Sequence, residues 1–354
     1  MGKIKAPTHV MHISPGGKAH PGYGKLMRNQ LILLLVMLSF TFGQARADGG
    51  ITHMFVASEV VQQLPDKPLR DLLLANMDAY LVGAYYPDSG YVDGAHYGEI
   101  SHWDPFIYAF ADYIDDQYAD PVAQNPRLIA FLFGCAAHSV ADIVSHQIFY
   151  PVSAQHDFKN DWQTAHTYGD IGIDLLVNID KQRWIKNPQT WWVPVADLIQ
   201  VYHRMGNDQY TADEIINGNK VIAVAGFEEK MISSPAYPYL AWYKMPWTAK
   251  NYYDFPNGGL LMAEQRVSDY QLRLWEYMKS KKPHAAVKPK KIYAISESSN
   301  TLMDFGKQAL KMGAVLVEVK KNADGSVELQ PPLVTSGKKF NDLIAQLLRE
   351  LTKK

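Results

Sequence analysis

The sequence predicts a mainly α, multi-helix bundle that carries a small α+β lobe at its C-terminal end. Three observations predict it. Apolar residues recur at helical spacing through most of the chain between residues 51 and 281. Inside that region, Gly134-Cys-Ala-Ala-His138-Ser-Val-Ala-Asp142-Ile-Val-Ser-His146 is an apolar run with polar groups four residues apart. Past about residue 283 the pattern changes to short β-type runs around an Asn322-Ala-Asp-Gly turn. On a helix, which turns by roughly 100° per residue, four residues return a side chain to within about 40° of its start. His138, Asp142 and His146 therefore share one stripe, while Leu132, Phe133, Ala136, Val140, Ile143 and Val144 call for burial.

The elements follow in order. Helical spacing runs over 51–64 and 66–82, the second with Asp66 at the cap and Pro68 in the first turn. Residues 84–104 are rich in Gly and aromatics, show neither period, and are expected to form a loop. Helices are then expected over 105–117, 125–149, 159–180, 193–204, 211–233 and 258–281. Aromatics gather in the connections, at Trp184, Trp191 and Trp192 and again from Tyr237 to Tyr253; they suit a core, lipid contact or a choline-type cage. Lys279–Lys291, with six Lys around Pro283 and Pro289, is read as a linker. A helix is expected early in 297–320, followed by a hairpin between Val315–Lys320 and Val327–Gln330. An amphipathic helix closes the chain over about 338–351. The resulting division is 1–47 leader, 48–282 main domain, and 283–354 linker and accessory region.

Residues 1–47 resemble an export signal, with Met27 as an alternative start. Met27-Arg28-Asn29-Gln30 is a basic n-region, Leu31–Phe42 an apolar h-region, and Ala45-Arg46-Ala47 a small–x–small cleavage site. The h-region is short for a membrane span, and no later segment reads as one. The mature protein is therefore expected to be secreted or periplasmic, with no transmembrane segment after signal cleavage. The leader holds six Lys or Arg and no acid, which leaves 29 basic against 36 acidic residues beyond it. That balance argues against nucleic acid as a partner. The lone Cys135 excludes an internal disulfide and is read as a core residue.

Imidazoles and carboxylates converging on one line are the donors a borderline-soft cation such as zinc takes. His166-Thr-Tyr-Gly-Asp170 repeats the spacing on the next predicted helix, so two facing helices would form a metal cage. A single His-x-x-x-Asp is more often a polar helix face. Two in succession, the first in an apolar helix, favour ligation, because burying such groups unpaired costs kilocalories per mole. His53 in Ile51-Thr-His-Met, Asp88 after Tyr85-Tyr86-Pro87, and His102 in Ser101-His-Trp-Asp-Pro-Phe precede them in order. Each alone has an ordinary explanation. No Gly-x-Ser-x-Gly nucleophile motif accompanies them.

This ordered set resembles the zinc-dependent phospholipase C family, and within it the catalytic domain of the glycosylphosphatidylinositol-specific phospholipases D. The likeness rests on Thr52-His53, Tyr86-Pro87-Asp88-Ser89, Ser101-His102-Trp103-Asp104-Pro105-Phe106, Phe131 through His138 and Asp142 to His146, and His166 with Asp170. It covers about 50–180 clearly and extends loosely to about 280. The resemblance implies a phospholipase C and zinc nuclease-like helical bundle around two to three zinc ions. By it, Asp88, His102, His138 and Asp142 would hold one ion, and His146, His166 and Asp170 a second. His53, bridged by Asp142 and joined by the freed α-amino group, would hold the third. Asp88 would also act as general base, and Asp174 would orient His166. Family members begin on a Trp near the metals, whereas cleavage after Ala47 exposes Asp48, which places the third site in question. The implied function is a secreted phosphodiesterase acting on phospholipid headgroups during transient membrane contact. The alternatives are a single-strand nuclease of the same fold and a non-catalytic, metal-stabilised binding protein.

Overall fold

The computed structural model describes residues 49–92, 95–182, 188, 190–280 and 301–352. The expected leader, Trp184 and most of the Lys-rich linker lie outside the described residues. The fold is mainly α, as expected. It begins with α1 (Gly50–Gln63), α2 (Lys67–Ala75) and α3 (Met77–Tyr85). Asp66 caps α2 by accepting from the Leu69 N–H at 2.9 Å. One helix was expected over 66–82, but the chain breaks at Asn76, φ −122°. The Asn76 amide there donates back to the Leu72 carbonyl and competes with the helical ladder.

The expected loop over 84–104 is ordered instead, as a 3₁₀ turn (Tyr86–Tyr91) and α4 (Gly98–Ser101). Ser89 holds the turn, donating to the Tyr86 carbonyl and sharing a hydrogen bond with the Tyr97 hydroxyl, each at 2.6 Å. α5 (Asp104–Gln117) and α6 (Pro121–Gln124) lead to α7 (Pro126–Val144), which Asn125 caps. The predicted 125–149 helix is not uniform. Residues Ser145–Phe149 make a π-helical turn that runs into α8 (Tyr150–Asp157). This 126–157 rod is long and apolar enough to cross a bilayer, contrary to the expectation that no segment past the leader is. Most of it is buried by the other helices, so it is the core helix of the bundle.

α9 (Trp162–Asp180) is capped by Asp161, whose carboxylate accepts from the Thr164 N–H. After β1 (Trp191–Val193) come α10 (Val195–Arg204) and α11 (Ala212–Tyr239). Thr211 and Glu214 form a reciprocal capping box at the start of α11. This helix outruns its expected end at 233, through Pro235 and Pro238, and closes in a second π-helical turn, Leu240–Lys244. α12 (Pro246–Asn251) and α13 (Leu260–Ser280) complete the bundle.

The C-terminal segment holds α14 (Thr301–Lys311), β2 (Val315–Leu316), β3 (Val319–Lys321), β4 (Val327–Leu329), β5 (Leu333–Val334) and α15 (Gly337–Leu351). The expected hairpin is realised by β3–β4, turned at Gly325, whose φ of +79° suits glycine, while Val315–Leu316, expected in its first strand, pair with β5 instead. β4 also pairs antiparallel with β1, Trp191 opposite Leu329, while α14 packs on α11. These contacts join the segment to the helical body.

The tightest crossing is α3 against α7. A Cβ at Gly134 would stand 2.1 Å from the Tyr80 carbonyl oxygen, and one at Gly83 would stand 2.2 Å from that of Phe131. Only glycines allow the two backbones to touch in this way. The contact fixes the depth at which α7 presents its next turn, where His138 stands.

Candidate metal centre

His138 is fully buried on α7, and its Nδ1 lies 2.9 Å from the Ala84 carbonyl of α3. A carbonyl only accepts, so Nδ1 carries the proton and Nε2 is left as the basic nitrogen. His102, at the end of α4, is set in the same way by the Gly98 carbonyl at 2.6 Å. Both Nε2 atoms meet Asp88 in the 3₁₀ turn, whose Oδ1 lies 3.3 Å from His102 and 3.4 Å from His138. Asp88, His102 and His138 thus form one group able to hold a cation.

His53 in α1 packs against His138, ring centroids 3.9 Å apart, and with it and Asp142 forms a second group. The third joins His146 in the π turn to His166 and Asp170 of α9. There His146 Nε2 lies 3.1 Å from Asp170 Oδ1, and His166 Nδ1 lies 3.2 Å from Asp170 Oδ2. Asp142 connects the groups, its Oδ1 3.3 Å from His146 Nε2 and 3.7 Å from His53 Nε2. All eight residues singled out in the sequence therefore converge, from six separate elements. The grouping differs in one respect. His138 serves two groups, and Asp142 groups with His53, the expected bridge, and with His138, but not with Asp88 and His102.

Burial sets the charge state of the site. It pushes the His53 imidazole down to about 4, lowers His102, and drives His138 well below the usual histidine range. Burial alone would raise the Asp142 carboxyl, but the surrounding imidazoles, His146 foremost, hold it below the ordinary carboxylate range. His53, His102 and His138 kept neutral beside an ionised Asp142 are in the donor state that metal binding requires. The donors also fit the group on geometry. His53 Nδ1 and His138 Nε2 are buried without a hydrogen bond, an arrangement that is costly unless a cation takes them up.

Asp174 does not orient His166 as expected. Its carboxylate accepts from the N–H groups of Ile51 and Thr52 and from the Thr52 hydroxyl, holding the start of α1 one residue before His53. Cys135 is buried, as expected, and burial pushes its thiol well up, out of the range of a reactive thiolate. Sequence reasoning did not single out the rings that wall the site. Tyr150 packs 5.0 Å from His146, Trp162 4.8 Å from His166 and Tyr91 4.8 Å from His102. For Tyr150 and Trp162, a position four residues from a ligand candidate was an available signal. For Tyr91 there was none.

Fold and site together define a class of protein, a helical bundle with clustered His and Asp groups able to hold metal. Residues 52–217 match the family model of zinc dependent phospholipase C. The chain is 30% identical over 245 residues to phosphatidylinositol-glycan-specific phospholipase D of Bos taurus, which aligns 64% of this chain with 29% of that protein. The same-named protein of Homo sapiens is 29% identical over 244 residues, covering 64% of this chain and 29% of its own length. That of Dictyostelium discoideum is 28% identical over 251 residues, covering 66% and 26%. The chain thus spans under a third of the length of these relatives. No solved structure matches. The resemblance seen in the ordered motifs is borne out.

Proposed function

We propose that this protein is a zinc-dependent phosphodiesterase that hydrolyses the headgroup phosphodiester of phospholipids, and that it acts outside the cytoplasm after export. The observation that carries this reading is the convergence of five buried or largely buried imidazoles and three carboxylates on one centre. The match to the zinc dependent phospholipase C family supports it. Two to three zinc ions are assigned to Asp88, His102 and His138, to His146, His166 and Asp170, and to His53 with Asp142. Ions held there would supply Lewis acidity toward a phosphodiester and make water a better nucleophile.

The chain's own residues supply the rest. The carbonyls of Ala84 and Gly98 lock the tautomers of His138 and His102. Asp88, fully buried between those imidazoles, is assigned the proton of the attacking water as general base. Asp170 orients His146 and His166 together. His146 has the most exposed side chain in the ion-paired groups of the site, at 19%, which puts the mouth beside it. Incubation of the exported, metal-loaded protein with mixed phospholipid vesicles, followed by mass spectrometry of products, tests the function. Diacylglycerol with a phosphorylated headgroup means C-type cleavage, and phosphatidic acid means D-type. Intact lipid after prolonged incubation would sink the proposal.

A further inference from the structure

A second surface stands out once the metal centre is accounted for. Residues 230–253 contain Lys230, Lys244 and Lys250 and no acid, in a chain whose mature part has an acidic balance. Seven aromatics share the stretch. A core role accounts for only some of them, because Trp242 is 76% and Tyr243 59% exposed. Along α11 and its π turn, Met231, Pro235, Pro238 and Trp242 follow one another at intervals of four, three and four, which places them on one helix face. Met231 is 46% exposed, and Pro235 and Pro238 are exposed as well. Tyr239 packs on Tyr243 with ring centroids 5.6 Å apart, extending the stripe sideways.

The stripe runs alongside α9: the Tyr237 hydroxyl donates to Asp180 at the C-terminal end of that helix, and only the Lys244 end of the stripe comes near its start. Lys244 sits 4.3 Å above the Tyr168 ring of α9 and interacts with the charge of Asp161, the α9 cap. The next residue, Trp162, is itself 40% exposed and packs on His166. Exposed Trp and Tyr rings on a stretch that carries lysines and no acid of its own suit the headgroup zone of a bilayer, with Asp161 and Asp180 of α9 as the neighbouring acids. Rings there sit at the apolar boundary and ammonium groups meet lipid phosphates. A contiguous exposed apolar face of this kind otherwise costs solubility.

We propose that the Met231–Tyr243 stripe, with Lys244 beside it, is the surface by which this protein seats on a phospholipid bilayer. This rests on the phospholipase reading for its purpose, though not for its measurement. The experiment is flotation of the full mature protein with vesicles of equimolar phosphatidylcholine and phosphatidylserine. Wild type is compared with Trp242→Ala/Tyr243→Ala, alongside hydrolysis of a monomeric short-chain phosphatidylcholine. Vesicle binding by the variant is expected to fall about tenfold or more, with turnover of the monomeric lipid unchanged. Trp242→Phe, which keeps the fold and the ring, provides a second readout. Brominated phosphatidylcholine should quench wild-type fluorescence more than that of this variant.

Equal vesicle binding by wild type and double variant overturns the proposal. So does a wild type that ignores vesicles but forms a dimer that the double variant loses, since the stripe would then join copies of the chain. Failure to cleave the monomeric lipid counts against the phospholipase reading alone, because flotation requires no turnover.

Discussion

Asp174 Oδ2 lies 2.9 Å from the backbone nitrogen of Ile51, so a carboxylate from α9 closes the N-terminal end of α1. Its other oxygen takes the Thr52 N–H at 2.7 Å. α1 has no cap of its own at Gly49, and its unpaired N–H groups attract a carboxylate. Burial still pushes the Asp174 carboxyl up to about 7 against these bonds. Asp174→Asn keeps the shape but turns an amide donor toward backbone donors. We expect a loss of about 1–3 kcal/mol and lower metal occupancy, because His53 follows Thr52 directly. Thermal melts and elemental analysis measure both. An unmoved midpoint would show that this cap contributes nothing to the start of α1.

Asp88 is expected to matter for turnover more than for folding. It is fully buried between His102 and His138, and a turn residue without further duty has no need of that position. Asp88→Asn retains size and some ligating capacity but loses basicity. Turnover on phospholipid should drop by about 10²–10⁴-fold, the usual scale for a general base. Zinc content should fall by one ion at most. Near-normal turnover would return Asp88 to a structural role.

Removing metal should destabilise the fold and make it sensitive to acid. Without an ion, His53 Nδ1 and His138 Nε2 stay buried and unbonded. The His53 imidazole, held near 4 in the fold, titrates near 6.5 once unfolded. Between those values the unfolded chain takes up a proton that the folded chain refuses, so stability is lost as pH falls from 6.5 toward 4. The expected outcome is a chelator-lowered midpoint that declines further across that window. A metal content below one zinc per chain, with a midpoint indifferent to chelator, would sink this expectation.

The site was more legible in the sequence than the machinery that builds it. Ligand candidates announce themselves because imidazoles and carboxylates at helical spacing inside an apolar run have few stable uses. Periodicity places His146 on an uninterrupted helix, whereas the structure puts it in a π turn. It still meets Asp142, because a one-residue change in hydrogen bonding shifts the stripe by only part of a turn. The role of Asp174 is not legible in the sequence, since its partners are the Ile51 and Thr52 N–H groups and the Thr52 hydroxyl, more than a hundred residues away. The depth of His138 depends on Gly83 meeting Gly134, two glycines in separate helices that periodicity alone does not pair. Asn76 on the Leu72 carbonyl and Ser89 on the Tyr86 carbonyl reorder 66–104 through side-chain competition for backbone groups, which average propensities miss.

That crossing gives a direct test. Gly134→Ala would place a methyl group 2.1 Å from the Tyr80 carbonyl and 2.7 Å from the Ala84 nitrogen, so α3 and α7 must separate. The Ala84 carbonyl that fixes His138 belongs to the segment displaced. Overpacking of this kind costs about 1–3 kcal/mol, although alanine is intrinsically the better helix former. Both the melting midpoint and zinc content are expected to fall. A stabilised, fully loaded Gly134→Ala protein would mean that the close approach is not needed.

Glu228 offers a prediction of opposite sign. It is fully buried on α11, neither carboxyl oxygen has a hydrogen-bond partner, and burial pushes its pKa up to about 8. A folded value above the unfolded 4.5 means that the fold holds a proton the unfolded chain releases. The associated stability is therefore complete below pH 4.5 and lost as pH rises toward 8. Glu228→Gln keeps the shape of the neutral acid and cannot ionise. Its melting midpoint should match wild type near pH 4.5 and exceed it progressively up to pH 8, with zinc content unchanged. Melting curves that run parallel across this range would show that Glu228 stays ionised in the folded chain and has a partner that stabilises the charge.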